Sequence, residues 1–402
     1  MNLLPLEPAA VLNADEILTE AISLVPTLRE RGEETERLRR LPDSTIHDAA
    51  DAGIFSLLVP RQLGGAGAGL QEFVDLLRIL ARGDLSAAWT LGFLTSHNWM
   101  IARFPKNVQD EVFAEGPPSL MAMVAHPVGK AIPVADGFEL TGHWRYCSGV
   151  MHADWVVVTA LIEGDESGAV SMFLLPRSDV DVIDTWYMAG MQGSGSNDVK
   201  IDSQFVPAER SIPFDDLFGR KNPGAKLYSE PIYGYDARSV MTFLFPAMAI
   251  GAAEGLLEDY RRRLDKRFAA FSKTLAGDTV AAQMRYARAT SALRLAQARL
   301  DHSVKITIDL NASAADDMSH ELRALIKLDC LAVCRMAWES VQLVMGGSGS
   351  SVYRSSETTQ RVVRDLQVLL SHMTIDEDRF LELSGEILLG RATSDDPTRD
   401  FV

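Results

Sequence analysis

A glycine- and serine-rich stretch carries the side chains best suited to bind a ligand in this chain. Residues 186–207 read WYMAGMQGSGSNDVKIDSQFVP, so that glycines are interspersed with Ser194, Ser196 and Asn197 ahead of a strand-like run. Glycine lets the backbone approach a ligand closely, and short hydroxyl and amide side chains can hydrogen-bond a flat polar cofactor. A tight connection before a strand has the same composition. At the level of residue types, both interpretations stand.

Three further residues combine a reactive side chain with an unusual setting. Ser148 ends a strand-like run at a small-residue kink, where a serine is either a turn former or a hydrogen-bonding group. His97 interrupts an apolar helical run at 87–104, as a core residue or as a pocket residue. His372 ends an amphipathic helical run. An unperturbed imidazole titrates near pH ~6.5, so His372 could take a phenol or amine proton at neutral pH, or it could interact with the helix dipole.

The hydrophobic periodicity divides the chain into three regions. Residues 1–116 are predicted to be a helical domain, and Asn13 with Glu16 predicts a capping box at its first helix. Over 117–228 the period is two, which predicts an antiparallel β-domain of sandwich or barrel type. Helical spacing returns over 229–402 and predicts a bundle of long helices.

Composition narrows the class of protein. A chain of 402 residues that is 47% hydrophobic can bury a large core, and its formal net charge of −16 argues against a nucleic-acid partner. Residues 1–10 lack the pattern of a secretory signal, and no run is long and apolar enough to predict a membrane span. Cys330 and Cys334 are expected to be buried thiols in a reducing cytoplasm, with no metal site.

The glycine- and serine-rich stretch resembles the flavin-contacting part of the acyl-CoA dehydrogenase superfamily. The residues FLLP at 173–176 before it and FVP at 205–207 after it belong to the same resemblance, which covers the chain from about residue 15 to residue 390. The form GSGSND is most similar to the group D flavin-dependent monooxygenases, the oxygenase halves of two-component aromatic hydroxylases. Gln192 and Ser194 depart from the arginine and threonine of many relatives. The implied fold is mostly α with a central antiparallel β-domain.

The resemblance implies a set of flavin-binding residues. The W-x-x-x-S-G element at 144–149 implies that the Ser148 hydroxyl lies against flavin N5 and stabilises a C4a-(hydro)peroxyflavin, with Trp144 as a wall of the ring. An arginine followed by phenylalanine, here Arg267, reaches the flavin phosphates of a neighbouring subunit in the superfamily. The residues implied to bind the cofactor are Trp144, Ser148, Gly193, Ser194, Ser196, Arg267 and Gly347.

The resemblance also implies a substrate pocket and the groups that act there. The sequence SHNW at 96–99 is similar to a pocket-lining motif of phenol- and steroid-hydroxylating relatives, which implies that His97, Asn98 and Trp99 bind substrate. His372 stands where dehydrogenases often carry a proton-abstracting glutamate. An imidazole there suits hydroxylation, so His372, His97 and Ser148 are the predicted catalytic residues.

The predicted function is the oxygenase component of a two-component flavin-dependent monooxygenase. It would use FMNH₂ or FADH₂ from a separate NAD(P)H-dependent flavin reductase, together with O₂, to hydroxylate a phenol, indole or steroid-type substrate. Similar proteins form tetramers built as dimers of dimers, which implies a homotetramer. Three alternatives remain: an acyl-CoA dehydrogenase that uses Asp376 or Glu377 as base, an N- or S-oxygenase of the same flavin family, and a helical scaffold without flavin.

Overall fold

The computed structural model describes residues 12–312 and 318–391. The start of the chain, for which the sequence predicts no secretory signal, lies outside those residues. The first described region is helical, and the predicted capping box of Asn13 and Glu16 is confirmed at its start. Its helices are α1 (Ala14–Leu38), α2 (Asp43–Asp51), α3 (Leu70–Ala81), α4 (Leu85–Ile101) and α5 (Lys106–Val112).

A single sheet follows, and its two faces cover two different cores. Val156 and Val158 belong to a core within the β-region, whereas Val157 between them joins the main core with the helices, as the period of two requires. The sheet order is β5-β6-β2-β1-β3-β4-β7. The described strands are β1 (Met121–Val134), β2 (Gly137–Cys147), β3 (Trp155–Ile162), β4 (Val170–Pro176), β5 (Asp181–Ile183), β6 (Asn197–Pro207) and β7 (Ser211–Pro213).

One strand pair departs from the predicted antiparallel pattern. β1 and β3 run parallel, with Met121 opposite Trp155, while the hairpin partner β2 pairs with the other edge of β1. The remaining pairs of the described sheet are antiparallel. The predicted boundary near residues 116–117 falls between α5 and β1, and as a domain limit it stays a prediction, as does the one near residues 228–229.

The last region is a helical bundle, as predicted. Cys330 and Cys334 are free and buried in it, which confirms that part of the sequence prediction. The prediction that no run is long and apolar enough to span a membrane is wrong for Ala237–Leu264, which passes by length and composition, although 83% of its apolar window is buried inside the protein. The helices are α6 (Phe214–Phe218), α7 (Ala237–Met241), α8 (Leu244–Leu264), α9 (Val280–Ala312), α10 (His320–Ser348), α11 (Thr358–Leu369) and α12 (Glu377–Leu388).

Helix α4 is the central element of the fold. Asp84 caps it by accepting a hydrogen bond from the Ala87 N–H, and Phe93 is its one residue that is not fully buried. The all-round apolar character predicted for this stretch is therefore confirmed. A helix enclosed on every side fixes the direction in which each of its side chains points.

Arg103, directly after α4, joins the first helical region to the segments that lead into the helical bundle, through their backbone carbonyl groups. Its side chain is fully buried, and burial lowers its pKa to about 9, so it stays charged at neutral pH. The acceptors, at 2.7 to 3.2 Å, are the carbonyl oxygens of Leu217, Phe218, Gly219, Tyr233 and Tyr235.

We expect Arg103→Met to destabilise the protein by about 3–5 kcal/mol, because buried carbonyl groups lose their charged donor. Denaturant unfolding at pH 7.5 would measure the loss. Arg37→Met is the matched control, since Arg37 forms an exposed ion pair with Glu34 that contributes less than about 1 kcal/mol. Equal midpoints for the two variants would contradict the assigned role of Arg103.

Candidate active site

Three serine hydroxyl groups form a buried chain beside the indole of Trp89. Trp89 Nε1 donates to Ser148 Oγ at 2.9 Å, Ser148 Oγ lies 2.8 Å from Ser196 Oγ, and Ser196 Oγ lies 2.8 Å from Ser194 Oγ. Because an indole N–H only donates, it occupies a lone pair of Ser148 and leaves the hydroxyl hydrogen for another acceptor. The structure thus brings together three of the predicted cofactor-binding residues, named here the serine cluster.

A bulge at the end of β2 positions Ser148. The pairing of β2 with β6 shifts register between Trp144 and Cys147, and Tyr146 inside the bulge has φ of 66°. Gly149 then turns the chain with φ of 76°, and its N–H donates to the Ser194 carbonyl at 3.4 Å. An extra residue that bends a strand re-aims the next side chain. Ser148 therefore leaves the sheet and faces α4.

The glycine-rich loop is clamped between helices. A Cβ atom on Gly190 would lie 2.3 Å from the Arg364 carbonyl oxygen on α11, and one on Gly193 would lie 2.1 Å from the Thr35 methyl group on α1. These close approaches explain both glycines without a ligand. The predicted contact of Gly193 with flavin stays a prediction.

Buried Asp365 holds this loop against α4. Its Oδ1 accepts from the Met191 N–H at 2.6 Å, and its Oδ2 lies 3.4 Å from Ser86 Oγ. Burial, and then the neighbouring Asp84 carboxylate, raises the pKa of Asp365. Arg361 offsets part of this charge, since its Nε lies 3.6 Å from Asp84 Oδ2. The loop, α4 and α11 are therefore fixed relative to one another by one buried polar group.

His372 packs against Trp89 from the other side of the site. Its ring centroid lies 5.5 Å from that of Trp89 and 4.7 Å from that of Phe245 on α8. α11 ends at Leu369, and His372 is the N-cap of a short 3₁₀ turn, with its Nδ1 accepting from the Thr374 N–H at 3.2 Å. Since a backbone N–H only donates, Nδ1 is unprotonated and the neutral ring carries its hydrogen on Nε2.

The expectation that His372 titrates near pH ~6.5 is wrong. Burial, and then the positive charge of Lys327, lowers its pKa to about 4. The imidazole is therefore neutral across the physiological range, and in the tautomer fixed by Thr374 it offers a donor at Nε2. The sequence placed the residue, but its surroundings set its protonation state.

His97 joins the same group through an aromatic contact. Its ring lies 5.5 Å from that of Phe93, which lies 4.8 Å from that of Trp89. His97 Nδ1 is 2.9 Å from the Met121 carbonyl oxygen, so Nδ1 carries the hydrogen and Nε2 is left as an acceptor. Burial lowers the pKa of His97 to about 4.

Asn98 and Trp99, the other two predicted substrate-binding residues, point away from the aromatic contact of His97. Asn98 donates to the Phe55 carbonyl at 3.0 Å, and the Trp99 ring lies under the guanidinium of Arg103 at 4.7 Å. Successive helical residues are about 100° apart, so three in a row do not face one pocket. In the described chain, Asn98 Oδ1 and Trp99 Nε1 are buried without a partner. A substrate contact by either residue stays a prediction.

Trp144 lies inside the core of the β-region. Its ring is fully buried and packs on Gly129 and Gly142, where a Cβ atom would lie 2.3 Å and 2.4 Å from it. Its Nε1 donates to the Thr159 carbonyl oxygen at 2.8 Å. The structure does not bring this ring to the serine cluster, and its full burial gives no support to a role as a flavin wall.

Two predicted cofactor residues meet at a different corner. Arg267 lies beyond the end of α8, and its Nη1 donates to the Ser348 carbonyl at 2.6 Å. Gly347, in the last turn of α10, leaves no room for a side chain, because a Cβ atom would lie 2.4 Å from Tyr260 Oη and 2.7 Å from Arg285 Nη1. The structure thus places a guanidinium next to the predicted glycine turn.

The aromatic residues that connect the site were not predicted from the sequence. Trp89 and Phe93 precede His97 at four-residue steps on α4, so all three lie on one face, and that spacing was the available signal. Phe245 had none, because it lies in an apolar run of α8. Together with His372, these rings form an unbroken aromatic wall.

Comparisons with known proteins match both helical regions and the overall fold of this chain. Residues 23–115 match the family described as acyl-CoA dehydrogenase, N-terminal domain, and residues 243–377 match acyl-CoA dehydrogenase, C-terminal domain. The solved HsaA monooxygenase from M. tuberculosis superposes with a TM-score of 0.87 at 29% identity, covering 96% of this chain and 99% of that one.

Curated relatives cover nearly the whole chain. A pigment production hydroxylase of Rhodococcus sp. is 33% identical over 94% of this chain and 98% of its own length. The flavin-dependent monooxygenase oxygenase subunit HsaA of Mycobacterium tuberculosis is 30% identical over 95% and 98%. The oxygenase component of p-hydroxyphenylacetate 3-hydroxylase from Acinetobacter baumannii is 27% identical over 95% and 90%.

Because its histidines are buried in the neutral form, we expect the protein to lose stability in acid. The pKa is lowered to about 4 in His97 and to about 3 in His152, in both cases mainly by burial. A histidine whose pKa is lower in the folded protein than in the unfolded chain stabilises the fold at pH values above its unfolded pKa. This contribution to the free energy of unfolding is lost as the pH falls from the unfolded pKa towards the folded pKa. We expect each imidazole to account for about 2 kcal/mol of lost stability at pH 5 relative to pH 7.5, measured by denaturant unfolding.

His97→Gln should reduce this pH dependence by about one histidine's share, whereas His302→Gln, at an exposed position, should leave it unchanged. An unfolding free energy that does not change between pH 7.5 and pH 5 would contradict neutral burial of these rings.

Proposed function

Because the chain belongs to the flavin-dependent monooxygenases of the acyl-CoA dehydrogenase superfamily, we propose that its buried hydroxyl and imidazole groups hold reduced flavin and orient an aromatic substrate beside it. The protein is the oxygenase component, which uses reduced flavin and O₂ to hydroxylate a small aromatic compound, and a separate flavin reductase supplies the reduced flavin. When bound, reduced flavin would supply the two electrons that activate O₂, one atom of which is transferred to the substrate.

The serine cluster fits the polar edge of a flavin. Hydroxyl groups both donate and accept, and the ring edge of a flavin presents both kinds of partner. Trp89 already occupies one lone pair of Ser148, so the hydroxyl hydrogen is available to a ligand in exchange for Ser196. We assign Ser148 to the N5 edge, with Ser194 and Ser196 as its support.

The opposite tautomers of the two histidines carry the proposal for the substrate. His97 has its hydrogen on Nδ1, bonded to the Met121 carbonyl, and leaves Nε2 as an acceptor. His372 accepts at Nδ1 from Thr374 and leaves Nε2–H as a donor. One ring can hold the hydrogen of a substrate hydroxyl while the other donates to an oxygen. Accepting that hydrogen raises the electron density of a phenol ring, which favours attack on an electrophilic oxygen.

The aromatic residues of the wall keep water away from these groups. Trp89 and Phe245 are at most 7% exposed and enclose the His372 ring with Phe93 close by. A dry site strengthens the hydrogen bonds within it and limits the side reaction that releases hydrogen peroxide. Phenols and indoles match such a pocket in shape and polarity, and N- or S-oxygenation remains an alternative within the same chemistry.

The dehydrogenase alternative lacks a suitable base here. Asp376 caps α12 by accepting from the Arg379 N–H at 3.0 Å, and exposed Glu377 pairs with Arg335 at 2.7 Å. Both carboxylates are thus engaged with α10 or α12, away from the serine cluster.

Arg267 and Gly347 are proposed to hold the phosphate end of the flavin, because a guanidinium beside a bare backbone turn suits a phosphate. Among the described residues, no hydrogen bond or ring contact joins Arg267 or Gly347 to the serine cluster. We therefore infer that each cofactor is held by two subunits of a homotetramer. The net charge of −16 argues against a nucleic-acid partner, and the free buried thiols of Cys330 and Cys334 suit a reducing cytoplasm.

We expect His372→Ala and Ser148→Ala each to lower the product formed per NADH at least about tenfold, with hydrogen peroxide released instead. The assay combines a general flavin reductase with a panel of phenols, indoles and amines. His372→Gln should retain part of the yield, because an amide also donates. Ser178→Ala, at an exposed serine, is the control, and full yield in both alanine variants would refute the assigned roles.

Arg267→Ala is expected to weaken binding of reduced flavin about tenfold or more, because one charge-assisted contact to a phosphate is lost. Anaerobic fluorescence titration with FMNH₂ and FADH₂ would measure it and identify the preferred flavin. Arg262→Ala removes a nearby exposed arginine that pairs with Asp259 and should not change the affinity. Equal weakening in both variants would mean that net charge, and not a specific phosphate contact, is responsible.

A further inference from the structure

Lys327 on α10 is a buried cation without an acidic partner. Its side chain is 4% exposed, and its Nζ lies 4.2 Å from the centroid of the Phe380 ring. In the part of the chain that the structure describes, no carboxylate forms an ion pair with it. Burying such a charge costs free energy, whereas a methionine would occupy a similar volume without that cost. The position therefore needs an explanation beyond packing.

The Lys327 ammonium is connected to His372 through one residue. Lys327 Nζ donates to the Thr374 carbonyl oxygen at 3.1 Å, and the N–H of the same Thr374 donates to His372 Nδ1 at 3.2 Å. The Thr374 hydroxyl is a further 2.9 Å contact of that nitrogen. A lysine that holds the Thr374 carbonyl therefore holds the turn that selects the tautomer of His372.

The side of Lys327 away from this turn borders a small cavity. Lys327 lines this cavity of about 20 Å³ together with Arg238, Thr242 and Thr307. A cavity of that size has room for about one water molecule, which can accept a hydrogen bond from the ammonium. The charge can thus persist close to the His372 ring.

No other described charged group faces His372 so directly. The rings against it from α4 and α8 belong to Trp89 and Phe245, which are uncharged. The nearby acids on its own segment are engaged elsewhere, Asp376 as the α12 cap and Glu377 with Arg335 on α10. His97 is itself neutral and lies beyond Phe93. The field at the imidazole therefore comes mainly from Lys327.

We propose that Lys327 is a positioning residue for His372. The bond of Lys327 to the Thr374 carbonyl holds the turn that fixes the imidazole hydrogen on Nε2, and the Lys327 charge adds to burial in disfavouring a second proton on that ring. The effect on His372 follows from the contacts alone, whereas its consequence for hydroxylation rests on the proposed function. A neutral ring in this tautomer offers its Nε2–H as a hydrogen-bond donor. It carries no second proton on Nδ1.

The test separates the bond from the charge. Histidine labelled with ¹³C and ¹⁵N in the ring reports both protonation and tautomer between about pH 8 and pH 4.5, and His372→Gln assigns the signal among the eight histidines. In the unmodified protein we expect His372 to stay mainly neutral over this range, with hydrogen on Nε2. Lys327→Met should shift its protonation upward by about one pH unit and mix the tautomers. Lys327→Gln keeps a donor without charge, so it should shift the protonation only.

Lys305→Met, at an exposed lysine that pairs with Asp309, should change neither signal. If Lys327→Met fails to fold, Lys327→Gln still tests the charge. A His372 signal that is the same in the unmodified protein and in the folded Lys327 variants would overturn the proposal. Product per NADH is the second readout: if the signal changes as expected and the yield does not, Lys327 positions His372 but the proposed role of His372 in hydroxylation fails.

Discussion

The hydrogen bond from Trp89 to Ser148 is the point where the three regions of the fold meet. Trp89 belongs to the buried helix α4, Ser148 to the bulged end of the sheet, and the Trp89 ring packs against His372 and Phe245 from the C-terminal bundle. A shift of any region against the others would break either the bond or the ring contacts. The alignment of the cofactor side with the substrate side therefore depends on the same packing that makes the core.

Buried polar groups make that packing specific. Apolar side chains tolerate small displacements, but a buried donor or acceptor that loses its partner costs about 1–3 kcal/mol. Asp365 on α11 connects the glycine-rich loop to α4, and Arg103 connects the end of α4 to the backbone carbonyl groups of Leu217 and Tyr235. The hydrogen bonds of these two residues favour one relative position of the elements that pack in the hydrophobic core.

The order of the regions and the buried helix were predicted from the sequence. So were Ser148, His97 and His372, which the fold brings together around Trp89 and Phe93. Hydrophobic period and a short motif are local properties, so they can be recognised without a structure. Trp89 has only the four-residue steps through Phe93 to His97 as a local signature, and Phe245 has none, because aromatic residues in apolar helices are usually core. The pKa of His372 depends on burial and on Lys327, which lies 45 positions away in the chain. The roles of Asn98 and Trp144 required knowing which way each side chain points.

Desolvation keeps the imidazole rings of His97 and His372 neutral. In water each ring would exchange between tautomers and take up a proton near pH ~6.5. In the protein, burial suppresses the charged form, and one backbone group at each ring selects the tautomer: the Met121 carbonyl for His97 and the Thr374 N–H for His372. An acceptor and a donor result from two identical side chains. The difference in their chemistry therefore lies in the backbone geometry around them, which is why the serine cluster, the aromatic wall and the Thr374 turn must be considered as one site.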